Sequence, residues 1–208
     1  VTSHDVGAAY AARASEYVDL FGSVEQADDR DRRLVTRWAD GLTGRVLDAG
    51  CGPGHWTRHL ADLGHDVEGA DLAEPFLEHA RARHPGVPFR RAALDGLGVP
   101  DGSLGGVLAW YSVIHTSPSG MDAVLAELAR ALAHGGGLLL GFFSGPRVEP
   151  FDHAVTPAWY WPVAEMSARL TAAGFDVLES ETRTDPGRRP HGAITARRAG
   201  GPPAPGRG

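Results

Sequence analysis

The chain of 208 residues has no lysine; all 20 of the side chains counted as Lys or Arg are arginine. With abundant Ala, Gly and Pro this reads as a bias of composition and not as chemistry. It does exclude a P-loop, whose lysine must follow its glycines. Cysteine is nearly absent too. The lone Cys51 rules out an intrachain disulfide and a multi-cysteine metal site. No apolar run reaches the roughly 18 residues of a membrane span, and the first residues lack the charged head and apolar stretch of a secretory signal. A cytoplasmic protein that leaves membranes alone is therefore expected. Clustered cations are scarce as well. The net charge is −6, and no concentrated basic block stands out except the arginine-containing ends around Arg188-Arg189 and Arg197-Arg198. Nucleic acid, which is held non-specifically by concentrated positive charge, is not an expected partner. No internal repeat is present. The length suits one domain with a sizeable core, as a monomer or a homodimer.

The most telling segment present is Val46-Leu47-Asp48-Ala49-Gly50-Cys51-Gly52-Pro53-Gly54, with Gly69-Ala70-Asp71 further on. It reads as a strand, a glycine loop, a helix, a second strand and an acid at that strand's end. The glycines let the backbone pass close to a ligand, because no Cβ intrudes. Asp71 is placed to accept hydrogen bonds from a ribose diol. Asp48, just before the first glycine, would repel a pyrophosphate and suits a cationic ligand. The dinucleotide fingerprint G-x-G-x-x-G/A fits at Gly50 and Gly52 but meets His55 where its third glycine should be.

Periodicity extends the pattern. Val6, Tyr10, Ala14, Tyr17 and Phe21 predict an amphipathic helix over 5–21, and a second is predicted over 28–39. Strands expected at 45–48, 65–71, 88–93, 104–111 and 137–143 alternate with helices at 55–63, 75–83 and 122–133. That alternation means a parallel sheet covered on both faces. His134-Gly135-Gly136 reads as the cap of the third of these helices. Residues 144–160, rich in Pro and aromatics, read as irregular. A helix over 162–173 follows, then strands at 175–183 and 191–197 around Asp185-Pro186-Gly187. Residues 199–208 read as a disordered tail.

The D-x-G-x-G-x-G loop, Asp71 and the later segments resemble the class I S-adenosylmethionine-dependent methyltransferases over roughly residues 45–145. The resemblance implies an α/β fold: a doubly wound, mostly parallel, seven-stranded Rossmann-like sheet with a C-terminal antiparallel strand. One methyltransferase domain would span residues 1–198, with a helical cover at 1–40, a cofactor-binding core at 45–145 and a substrate-cover segment at 144–161. S-adenosylmethionine would be the cofactor, S-adenosylhomocysteine the product and a small molecule the acceptor.

Ligands of such sheets sit outside the carboxyl ends of the strands. The cofactor would there meet Asp48, Gly50, Cys51, Gly52, Gly54, Trp56, Asp71, Leu72, Leu94 and Trp110. The loop backbone would take the methionine part, Asp71 the ribose and Leu72 the adenine face. The family commonly has an acid after the third strand; Ala92-Ala93 stands there instead, and Asp95 is the nearest substitute. Aromatic faces at Trp110 and Tyr111 would attract a sulfonium. Tyr111 and His115 are the candidate catalytic residues, His115 as a general base. Tyr10, Tyr17, His153 and Trp159 are candidates for the acceptor pocket. Cys51 has no base placed for it and reads as structural. His55 and His59 share a helix face without a third ligand, so no metal is expected. Two other readings compete: an NAD(P)-dependent oxidoreductase, against which the missing third glycine and Asp48 count, and a methyltransferase-like binding protein that transfers nothing.

Overall fold

The computed structural model describes residues 3–12 and 24–200. Its strands are β1 Val46–Ala49, β2 Val67–Asp71, β3 Phe89–Arg91, β4 Leu104–Trp110, β5 Leu132–Phe143, β6 Glu149–Phe151, β7 Ala158–Tyr160, β8 Phe175–Arg183 and β9 His191–Arg198. Its α-helices are α1 Ser3–Ala12, α2 Asp29–Ala39, α3 His55–Asp62, α4 Glu74–Arg83, α5 Pro118–Ala131 and α6 Val163–Ala172. Seven strands form one sheet in the order β3-β2-β1-β4-β5-β9-β8. All neighbours are parallel except β9, which runs antiparallel to both β5 and β8. The doubly wound sheet with its antiparallel C-terminal strand is the architecture the resemblance implied.

Local chemistry accounts for most elements. All four residues of β1 are buried, as befits a central strand covered on both faces. The Asp28 side chain accepts the Arg30 N–H and caps α2, which lays Leu34, Val35 and Trp38 on the sheet. Pro75 sits in the first turn of α4, where its missing N–H costs nothing. One apolar cluster joins α5 and α6 to one face of the sheet. A second, with Leu34, Trp38, Trp56 and Leu60, covers the other.

Several boundaries differ from the expected ones. Helix α5 starts at Pro118 because proline and Ser117 suit a helix entrance, although Ser117-Pro118-Ser119-Gly120 reads as loop by composition. Strand β5 starts at Leu132. Leu132 pairs with Leu104 and Gly137 with Gly106, so residues 133–136 form an irregularity within the strand and not a helix cap. The segment expected to be irregular contains a hairpin, in which Glu149, Pro150 and Phe151 pair with Tyr160, Trp159 and Ala158. Its strands are too short for alternation to show, and Pro150 argues against a strand in any sequence reading. Of the helix expected over 5–21, Ser3–Ala12 is helical; residues 13–23, Tyr17 among them, lie outside the described residues, as do residues 201–208 of the expected tail. Ala199 still donates its N–H to the Gly174 carbonyl.

The parallel strands end on one edge, at Ala49, Asp71, Arg91, Trp110, Phe143 and Arg183. Because β9 runs the other way, it begins at that same edge. His191 pairs there with Phe143 on one side and Arg183 on the other.

Candidate active site

Two cavities open along this edge. The smaller, about 390 Å³, lies beyond β2 and β3 and is lined by Asp71, Leu72, Phe76, Leu94 and Asp95. The larger, about 530 Å³, lies beyond β1, β4, β5 and β9, with Asp48, Trp56, Phe143, His153 and His191 in its walls. Tyr10, Gly50, Gly52, Trp110 and Tyr111 line both.

The glycine loop forms the ridge between them. Gly50 (φ 79°) and Gly52 (φ 53°) adopt left-handed backbone that a side chain disfavours. A Cβ at Gly50 would come within 2.2 Å of Ser112 Cβ, whereas one at Gly52 would meet nothing within 4 Å. The loop is therefore packed tightly at one glycine and open to the cavities at the other. Gly50 and Cys51 donate their N–H groups to the Ala70 carbonyl at 2.7 and 3.0 Å. Asp71 accepts the Gly52 N–H at 2.9 Å and the Ala73 N–H at 2.8 Å, and burial raises its carboxyl above the ordinary value. It thus ties the loop to the entrance of α4 while facing the smaller cavity. Gly54 lines neither cavity: its missing Cβ makes room for Phe89 and Ala80.

Asp48 is 2 % exposed. It accepts the Thr57 hydroxyl at 2.7 Å. Burial pushes its carboxyl up to about 7, against the pull of that hydrogen bond and with a smaller push from the charge of Asp71. Cys51 is buried against Leu77, Ala80 and Phe89, and burial first, then the charges of Asp48 and Asp71, push its thiol well up. That keeps it protonated and inert, as its structural reading requires. The Ser112 hydroxyl is buried without a hydrogen-bond partner among the described residues, on the wall of the smaller cavity. It adds a polar site there that the sequence did not single out. Asp95 lines the same cavity as Leu94.

The strand-four end carries the most constrained residue. Tyr111 has φ 57° and is the one non-glycine in the left-handed region among the described residues. Such a backbone costs about 1–3 kcal/mol and persists only where its surroundings impose it. Its hydroxyl meets His191 Nδ1, and its ring lies 5.7 Å from Trp110 and 5.0 Å from Phe143. Burial raises the Tyr111 phenol and pushes the His191 imidazole down to about 4, the latter with help from the charge of Arg183. His191 is not among the site residues expected from the sequence. The signal was there: the first residue of an antiparallel last strand stands where the parallel strands end.

His115 is 6 % exposed. Its Nδ1 donates to the Pro157 carbonyl at 2.9 Å, so the neutral ring leaves Nε2 bare to accept the Tyr10 hydroxyl at 2.8 Å. Burial keeps the ring neutral by lowering its basicity. The lone pair expected to take an acceptor's proton is engaged by Tyr10. Tyr10 packs its ring 5.7 Å from Phe76, and so joins α1 to both cavities. His153 stands 5.1 Å from the His115 ring, centre to centre. Trp159 lines neither cavity: it lies in β7, and its N–H donates to the Ile114 carbonyl at 2.9 Å. A short outer hairpin brings that strand to the edge of the sheet without turning this ring into the pocket. Among the described residues no cluster of His, Cys, Asp and Glu suits a metal, and no helix is long and apolar enough to cross a membrane.

Comparison with known proteins places this geometry. Residues 46–136 match a family model described as a methyltransferase domain. A probable S-adenosylmethionine-dependent methyltransferase of Mycolicibacterium smegmatis is 33% identical over 157 residues, covering 73% of this chain and 60% of that protein. The first curated relatives are spanned over 49% to 70% of their own length. Among solved structures, the [4+2]-cyclase SpnF superposes with a TM-score of 0.81 at 21% identity, covering 97% of this chain and 98% of that one. The 1,6-didemethyltoxoflavin-N1-methyltransferase of Burkholderia thailandensis, with its substrate and S-adenosylhomocysteine bound, gives 0.77 at 21% identity, covering 96% and 92%. The chain carries a methyltransferase domain over residues 46–136, and these likenesses support the class I S-adenosylmethionine-dependent family.

Proposed function

We propose that this chain transfers a methyl group from S-adenosylmethionine to a small-molecule acceptor. The nucleoside would occupy the smaller cavity and the acceptor the larger. The observation that carries this reading is the meeting of the two cavities at the open Gly52. On one side stands a carboxylate whose partners are backbone N–H groups, on the other a set of aromatic walls. The residues fit the cofactor. Asp71 retains acceptor capacity for ribose hydroxyls, Leu72 and Leu94 offer apolar faces to adenine, and Asp95 and the orphaned Ser112 hydroxyl supply polar contacts that an acid at Ala93 would otherwise give. Asp48 and the loop backbone suit the amino-acid end, and the rings of Trp110 and Tyr111 suit a sulfonium, at about 0.5–2 kcal/mol.

When bound, the cofactor supplies a methyl group on an electrophilic sulfonium. The chain's part is chiefly alignment and exclusion of water, and alignment alone can supply roughly 7–11 kcal/mol of a barrier. Tyr10, held by His115, closes α1 over the junction of the cavities, and the β6–β7 hairpin bounds the acceptor side. In this reading His115 holds the cover. The solved toxoflavin-precursor methyltransferase supports a ring-sized acceptor through its shared fold. The SpnF cyclase is a reminder that one fold hosts more than one chemistry.

Isothermal titration with S-adenosylmethionine, S-adenosylhomocysteine and NAD in parallel tests the reading. Both sulfur nucleosides should bind and NAD should not. Saturable NAD binding without binding of S-adenosylhomocysteine would overturn it.

A further inference from the structure

The larger cavity holds a buried pair that cofactor binding leaves unexplained. Tyr111 is forced into left-handed backbone, and its hydroxyl meets His191 Nδ1. His191 is 3 % exposed, and its Nε2 has no hydrogen-bond partner among the described residues. That nitrogen faces the Glu181 carboxylate at 4.0 Å. A carboxylate ahead of Nε2 favours the proton there, which leaves Nδ1 bare to accept the Tyr111 hydroxyl. The charged groups around the ring come from two other elements. Glu181 and Arg183 lie on β8 with Asp185 just beyond it, while Asp28, Arg30 and Asp31 stand at the start of α2. Arg183 pairs with Asp31 at 2.6 Å and approaches Asp185 at 3.5 Å. These pairs leave the imidazole as the neutral proton acceptor beside Tyr111. Among the other histidines, His115 lines the smaller cavity and has both nitrogens engaged, while His55 and His153 share the larger cavity's wall but stand apart from the Tyr111 hydroxyl, which meets His191. Trp56, Trp110, Tyr111 and Phe143 give the cavity flat apolar walls.

We infer that the Tyr111–His191 pair takes the proton of the acceptor, and that the acceptor is a flat aromatic or heteroaromatic molecule whose nucleophile is a neutral O–H or ring N–H. The inference rests on the methyl-transfer reading above. The acceptor atom gains its bond to the methyl carbon as the carbon–sulfur bond breaks, and that electron pair stays on sulfur. The acceptor's proton passes to the Tyr111 oxygen, and Tyr111's own proton passes to His191 Nδ1. The imidazolium then releases its Nε2 proton towards Glu181, whose side chain is 48 % exposed, and so to solvent. A nucleophile that has gained a methyl group becomes strongly acidic, so a weakly basic imidazole suffices, provided it starts neutral. Tyr111 is the catalytic residue of the pair. His191 acts through it and is a positioning residue.

The test uses the full chain and methyl-labelled S-adenosylmethionine, with S-adenosylhomocysteine binding measured on the same samples. The acceptor panel is 4-nitrocatechol, 8-hydroxyquinoline and lumazine, set against 2-mercaptoethanol and octanoic acid. Label should enter one or more of the ring compounds. Label confined to the thiol or the carboxylic acid overturns the inference, as does absence of label from the whole panel while S-adenosylhomocysteine binds. Absence of that binding overturns the methyl-transfer reading instead. On the acceptor found, Tyr111→Phe and His191→Phe should each lower kcat on the order of a hundredfold, the usual scale of acid–base assistance, with KM within about threefold. The double variant should be no slower than the slower single one, because the two act as a unit. His191→Gln decides between roles. Its amide oxygen can still accept the Tyr111 hydroxyl but cannot hold a proton. It should be as slow as His191→Phe; a Gln variant with near-normal kcat shows that the ring only props Tyr111 and overturns the inference.

Discussion

The two cavities are made of different material. Beyond β2, the groups facing the smaller one are fixed by backbone: Asp71 takes its hydrogen bonds from Gly52 and Ala73, and Gly50 and Cys51 hang from the Ala70 carbonyl. Beyond β4 and β9, the larger one is walled by side chains fixed by other side chains, from segments 80 residues apart for Tyr111 and His191, and Tyr10, which lines both cavities, is held by His115 from 105 residues away. The first kind of site is specified by a short stretch of chain and tolerates change elsewhere. The second exists only once the whole sheet has closed, and it can diverge without disturbing the first.

The sharpest break of the comparison lies within the loop itself. Gly50→Ala puts a Cβ 2.2 Å from Ser112 Cβ at φ 79°. Left-handed strain of about 1–3 kcal/mol adds to overpacking of about 1–3 kcal/mol, enough to leave little folded protein by circular dichroism. Gly52→Ala meets nothing within 4 Å, so it should fold with a modest loss, about 1–2 kcal/mol for left-handed backbone, yet weaken S-adenosylhomocysteine in titration. Equal stability of the two variants would show that the loop is not packed as described.

Next in size is Asp71→Ala. Loss of hydrogen bonds to a charged group, at about 1.5–3 kcal/mol, should weaken S-adenosylhomocysteine roughly ten- to hundredfold. The two backbone donors it satisfies add a stability cost visible in thermal unfolding. Affinity preserved within a factor of two would make Asp71 a loop clasp only.

These two positions also mark what could be read from the chain alone. Gly50, Gly52 and Asp71 stand in one βαβ unit, where spacing and geometry are linked over a few residues, and the sheet around them follows from alternating periodicity. Gly54 misled because a glycine needed for packing against Phe89 looks the same in sequence as one that admits a ligand. Trp159 misled because short strands hide which way a ring points. His191 and the hold of His115 on Tyr10 depend on contacts between remote segments, and single-chain periodicity carries no information about those.

Asp48 should give a smaller and pH-dependent effect. Burial raises its folded-state carboxyl to about 7, so it is largely protonated below that pH and ionised above it. In the free protein its contribution to stability is present at acid pH and lost as pH rises through about 7. A ligand bearing an ammonium group prefers the ionised form, so binding should strengthen with pH and release a proton. From pH 6 to pH 8 the affinity for S-adenosylhomocysteine should rise about three- to tenfold, one pH unit corresponding at most to a factor of ten. Titration in buffers of different ionisation enthalpy reads the proton. Asp48→Asn should flatten the profile; a wild-type slope in that variant would assign it to another group, Asp71 first.

The smallest expected effect tests whether the remote side chains close over the donor at all. Tyr10→Phe keeps the ring against Phe76 and removes only the hydroxyl given to His115. A neutral hydrogen bond is worth about 0.5–1.5 kcal/mol, or roughly two- to tenfold. If the bond holds α1 over the junction of the cavities, S-adenosylhomocysteine should weaken by that factor and amide exchange over 7–11 should quicken in the complex. The same loosening should appear in wild type on acidification, because an imidazolium at His115 cannot accept the hydroxyl, and burial of the ring defers that until below its ordinary range. If α1 is merely a structural helix, the hydroxyl contributes to folding alone. The variant would then melt at a lower temperature while its affinity and its ligand-induced protection matched the parent's.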